Sequence, residues 1–144
     1  MMLGDLLTLR NFVWLAGLLQ FCQIPAMFAA PKVLGWREDL SKLSAINRNI
    51  VLVIGGGIVL TGVGTGLVVV LGATEMVGGG LLGIAFCGFL GVFWFYRLCA
   101  QVFLYARIWP GGVLGRLSYY GLTALFTFQA GVYLTAVVST LLKR

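Results

Sequence analysis

The sequence predicts an all-α integral membrane protein: a four-transmembrane-helix bundle with a short interfacial amphipathic helix between spans one and two. Three observations carry this reading. Of the 144 residues, 60% are hydrophobic and only 10% charged, whereas soluble domains carry about 25% charged residues to cover a water-facing surface. The mean hydropathy is +1.03, and the apolar residues gather into stretches near the roughly 20 residues that a ~30 Å hydrocarbon core demands. Thirteen of the fourteen charged residues lie at the ends of those stretches or beyond, where charge orients and anchors a span. An ordinary soluble enzyme, a disordered chain and a nucleic-acid-binding domain are excluded on the same grounds. The formal charge of +6 is spread over span ends, where it meets anionic head groups. Residues 1–144 form a single membrane domain.

The first span covers residues 12–30. Its flank holds Asp5 and only one basic residue, Arg10, and small residues are missing at the spacing a cleavage site needs, so it reads as a retained span, not a secretory signal. Pro25 is expected to kink it and Pro31 to end it, since each removes a backbone donor. The polar connection that follows holds Lys32, Arg37, Glu38, Asp39, Lys42 and Arg48. Trp36, Leu40 and Leu43 fall near helical spacing within it, which predicts an interfacial helix over 36–47.

The second span, 50–71, is apolar and rich in glycine. Gly62 and Gly66 form one small-residue pair, and Gly57, Thr61 and Thr65 a second row at four-residue spacing. Small faces let helix backbones approach closely where lipid supplies no hydrophobic drive. Packing within the monomer is the preferred reading of these rows, with a dimer seam or substrate path behind it. Residues 72–80 read as a flexible turn; no Lys-Ser/Thr pair follows their glycines and no strand precedes them, as a phosphate loop would require. The third span, 81–105, adds Gly88 and Gly91 as packing positions. The segment Trp109, Pro110, Gly111, Gly112 marks a turn, and the fourth span, 119–142, closes on Lys143 and Arg144.

The connections after spans one and three hold Lys32, Arg37, Lys42, Arg48, Arg107 and Arg116, and the opposite side holds Arg10, Lys143 and Arg144. Positive loops stay in the cytoplasm, which predicts both termini outside, in a membrane expected to be a bacterial inner membrane. Gln23, Pro31 and Val33-Leu34-Gly35 are echoed by Gln101, Pro110 and Val113-Leu114-Gly115. Three landmarks in so biased a composition carry little weight for a tandem hairpin.

Chemistry is bounded by what is missing. Without histidine, His-ligated haem, a His-containing metal site and a Ser/His/Asp hydrolase are excluded. Cys22, Cys87 and Cys99 lie in apolar runs without a CxxC pair and read as small apolar fillers. Asp5, Glu38, Asp39 and Glu75 all fall at or beyond span ends, so the intramembrane acid of a proton-coupled exporter is absent. No cofactor and no metal are expected. Arg97 is the one charge inside a span, and such a charge costs at least ~2.5 kcal/mol at the bilayer centre unless it is paired or snorkels. Gln20, Gln23, Arg97, Gln101 and Gln129 are expected to form a polar cluster in the bundle centre, glutamine carbonyls accepting from the guanidinium. Trp14, Trp36, Trp109, Tyr105, Tyr119 and Tyr120 suit an interfacial aromatic belt.

The expected function is that of a small non-enzymatic multi-pass membrane protein, a subunit or accessory factor of a larger assembly. Its partners would be the lipid bilayer and other membrane protein subunits or itself, with no nucleic acid. The alternative is a homo-oligomeric transporter or channel for a small neutral or anionic solute.

Overall fold

A computed structural model describes residues 3–142. Lys143 and Arg144, expected to close the last span, and the side chain of Asp5 lie outside the described residues. The chain is helical throughout, with no strand among the described residues. Its elements are α1 (Leu3–Phe21), α2 (Ile24–Val33), α3 (Trp36–Ser41), α4 (Ala45–Val77), α5 (Leu81–Cys99) and α6 (Gly112–Leu141). A π-helical turn, Ala100–Tyr105, prolongs α5. Four segments are long and apolar enough to cross a membrane: Thr8–Val33, Ala45–Val77, Leu81–Tyr105 and Gly112–Leu141.

The proline expectations divide. Pro25 has no N–H to give the carbonyl of Phe21, four residues back, and α1 ends at Phe21. A turn at Cys22 and Gln23 follows, and α2 opens with Pro25 in its first turn, where a missing donor costs nothing. Pro31 does not end the helix. The chain stays helical to Val33 and stops at Gly35, whose φ of 68° is the left-handed conformation that glycine adopts freely.

The interfacial segment is shorter than expected. Only the six residues of α3 form that helix, with Trp36 and Leu40 half-buried. Ser44 then caps α4, its hydroxyl accepting from the Asn47 N–H at 3.4 Å, so residues 45–47 already belong to the long helix. Ser44 is the signal that places this boundary, a residue type favoured at helix starts for that bond. Residues 72–77, expected in a flexible turn, are also helical; Gly72 bends α4 (φ −106°, ψ 16°) without ending it. The turn proper is 78–80, with Gly79 at φ 88°. Similarly, α6 begins at Gly112, not near 119.

Two antiparallel hairpins make up the fold. In the first, Gly17 of α1 lies against Val69 and Val70 of α4, and Gly66 of α4 lies under the Phe21 ring. In the second, Gly88 and Gly91 of α5 face Val137 and Leu134 of α6, while Trp94 meets Phe126. The hairpins join where Gly83 of α5 rests on the backbone of Glu75 and Met76, and where Phe12 of α1 meets Phe128 of α6 edge-on, ring centroids 6.4 Å apart. The core fills with Val13, Ala16, Val69, Met76, Leu90, Trp94, Phe126 and Tyr133. Before Gly66, no residue of α4 is buried.

Candidate functional site

Gln20, Gln23, Gln101 and Gln129 are all buried, whereas Arg97 is half-buried. The helix geometry explains two of these positions. Gln23 sits in the break between α1 and α2, and Gln101 in the π-helical turn, a distortion often found where a helix presents a functional group. The Gln101 carbonyl accepts from the Tyr119 hydroxyl at 3.3 Å, which ties that turn to α6.

The cluster does not close on Arg97. Gln20 instead anchors a network across three helices: its amide Nε2 donates to the Tyr133 hydroxyl at 2.8 Å, and its Oε1 lies 2.8 Å from the Thr65 hydroxyl. The single Thr65 proton is shared with the carbonyl of Thr61, also at 2.8 Å. Tyr133 and Thr65 are the members that sequence reasoning missed. Thr65 is read from the sequence as a packing position, not as a hydrogen-bonding partner, and Tyr133 falls in an apolar run where a phenol does not stand out as polar. Gln23 Nε2, Gln101 Nε2, both amide atoms of Gln129, and the indole N–H of Trp94 are buried without a protein hydrogen-bond partner. An orphaned buried polar group costs about 1–3 kcal/mol, so these amides are the costly part of the interior.

Arg97 has no ion pair and no hydrogen bond among the described residues; its guanidinium carbon stands 5.2 Å from the Phe126 ring centroid. The contact is a cation–π interaction, worth about 0.5–2 kcal/mol according to desolvation. Arg97 borders a crevice between α4 and α5. Ile58, Thr61, Gly62 and Thr65 form one wall and Phe89, Leu90, Phe93 and Trp94 the other, Met27 of α2 completes the lining, and there is no acid among them. Its enclosed part is about 20 Å³, room for about one water molecule.

The small-residue rows of α4 divide among three faces. Gly66 packs on α1; Thr61, Gly62 and Thr65 border the crevice; Gly57 and Gly64 point away from both, and a Cβ built on Gly57, Gly62 or Gly64 meets nothing within 4 Å. Close packing between helices of the monomer therefore falls to Gly17, Gly66, Gly83 and Gly91, and not to Gly57 and Gly62, while Gly115 packs locally on the Pro110 carbonyl. Gly88 makes only an ordinary contact, at 3.9 Å.

At the loop end of the second hairpin, Tyr105, Trp109, Tyr119 and Tyr120 form a run of ring contacts. The Trp109 indole N–H is held between the Gly115 carbonyl (3.0 Å) and the Ser118 hydroxyl (3.2 Å). In α3, Lys42 bridges Glu38 and Asp39 at 3.3 and 3.2 Å; the Asp39 bond, then the Glu38 bond, hold its ammonium above the usual lysine range. All three are exposed, so the bridge belongs to a solvated face and adds little stability. Among the described residues, no three His, Cys, Asp or Glu side chains gather as a metal site would require. No protein-family model, no curated protein and no solved structure matches the chain.

Proposed function

We propose that the chain is an integral membrane protein without enzymatic activity, both termini outside, acting as a subunit or accessory factor of a larger membrane assembly. The observation that carries this reading is the outer face of α4. Val53, Gly57, Leu60, Gly64, Leu67 and Leu71 alternate at spacings of four and three, the heptad repeat of a helix that packs along another helix. Leu60 and Leu71 are 74% and 80% exposed, and a Cβ at Gly57 or Gly64 meets nothing within 4 Å. Lipid accepts leucine on a helix surface but has no use for glycine there. A partner helix does, because its backbone can come close at those two points. The one-water size of the crevice beside Arg97 speaks against a solute path through the monomer.

Gentle detergent extraction of the tagged chain, followed by identification of stoichiometric partners, tests this. The double variant Gly57→Leu, Gly64→Leu is expected to lose its partners at least tenfold. Its own thermal midpoint should hold, since neither new side chain meets the monomer and leucine favours helix by about 0.8 kcal/mol over glycine. Recovery as a homo-oligomer alone, with a water-filled cavity reaching Arg97, would overturn the subunit reading in favour of a transporter or channel.

A further inference from the structure

The crevice beside Arg97 is walled by apolar side chains and by the hydroxyls of Thr61 and Thr65, each both donor and acceptor. The Arg97 guanidinium has no ion pair and no hydrogen bond among the described residues, only the Phe126 ring 5.2 Å away, and the Thr61 side chain is exposed. No acid lines the crevice. A cation held in apolar surroundings is stable only beside an anion or where it reaches water. The enclosed volume is too small for a solute, but the walls open outward: Phe89 is 54% exposed and Gly62 leaves its side of the groove unfilled. An occupant must therefore carry an anionic group for Arg97 and a long apolar body to lie along the open groove.

We infer that this groove binds one anionic phospholipid, its phosphate on the Arg97 guanidinium and an acyl chain between Gly62 of α4 and Phe89 and Phe93 of α5. Arg97 lies two turns before the end of the π-helical turn at Tyr105, about 12 Å or less along the axis. An arginine stem covers about half of that distance, so the guanidinium and a head group meet only if the phosphate sits below the level of Tyr105 and Trp109 and covers the rest. The phosphate accepts in bidentate fashion from the guanidinium fork, which a lysine cannot reproduce. The inference rests on membrane insertion, and is independent of the subunit assignment because the lipid groove and the heptad face lie on different sides of α4.

The test is native mass spectrometry of the full chain in mild detergent, with phosphatidylglycerol or phosphatidylcholine added at equal concentration, and inorganic phosphate as a competitor. One phosphatidylglycerol should be retained with at least a tenfold preference over phosphatidylcholine. Arg97→Leu should abolish the preference, Arg97→Lys should retain part of it, and Gly62→Phe should expel the lipid while leaving Arg97 in place. Gly62→Phe also serves if Arg97→Leu fails to fold. Equal retention of the two lipids, or a preference that survives both Arg97→Leu and Gly62→Phe, overturns the inference. Displacement by inorganic phosphate shows a soluble-anion site and overturns the lipid. Flotation with liposomes separates the two readings: a chain that does not float defeats membrane insertion and the lipid together, while a chain that floats without lipid preference defeats only the lipid.

Discussion

Gly83→Ala is expected to lower the stability of the purified protein by about 2–3 kcal/mol or more, the upper part of the range for overpacking a filled interior. The reason is what the new methyl group meets. A Cβ at position 83 lies 2.7 Å from the carbonyl oxygen of Glu75, 3.0 Å from the Met76 Cα and 3.1 Å from the Met76 carbonyl. All three are backbone atoms of the last turn of α4, so no rotamer change relieves the contact, and the two helices must part at the point where the hairpins join. Gly64→Ala is the matched control, because its Cβ meets nothing within 4 Å and alanine favours helix over glycine. Thermal unfolding in detergent should therefore move in opposite directions for two identical chemical changes. Equal midpoints for the two variants would show that α4 and α5 do not meet at Gly83.

Gln20→Leu is expected to destabilise by about 1–2 kcal/mol, and Gln129→Leu to be neutral or stabilising. The two glutamines look alike in the sequence and are both buried, but their partners differ. Loss of Gln20 leaves the Tyr133 hydroxyl, in a side chain of 0% exposure, without its 2.8 Å partner. Thr65 suffers less because it keeps the Thr61 carbonyl. Adding Tyr133→Phe to Gln20→Leu should recover part of the loss by removing the orphaned group. Gln129 gives up no protein hydrogen bond on replacement, and leucine relieves its amide of an apolar burial. A large loss of stability in Gln129→Leu, or additivity of Gln20→Leu with Tyr133→Phe, would refute this division.

The number and approximate extent of the apolar helices were legible in the sequence because hydropathy is summed over some twenty residues and tolerates local error. Boundaries were less so. They depend on single bonds: the Ser44 cap starts α4 five residues before its apolar run, and Gly35, not Pro31, ends α2. Glycine is ambiguous by nature. Gly72 reads as a turn residue, yet the helix bends through it, since loss of hydrogen bonds at that point would be costlier than the bend. The burial of the four glutamines followed from their apolar context, whereas their pairing did not. Partners such as Tyr133 and Thr65 are set by the rotation of each helix about its axis, which a nearly uniform apolar sequence does not encode. The division of the glycines between filled and open faces is hidden for the same reason.

Helix length has one more consequence. At about 1.5 Å per residue, α4 with its 33 residues is about 50 Å long, well beyond a hydrocarbon core of about 30 Å. α5 and its π-helical turn together have 25 residues and reach no more than about 37 Å. In the bilayer proposed for them, two neighbours so mismatched would not both match the same hydrocarbon thickness. The longer one would lean, bend or project beyond the core, and Gly72 bends it near its C-terminal end only. Acyl-chain length would then act on the angle between α4 and α5, and bilayer thickness would become a physical input that widens or narrows the groove beside Arg97.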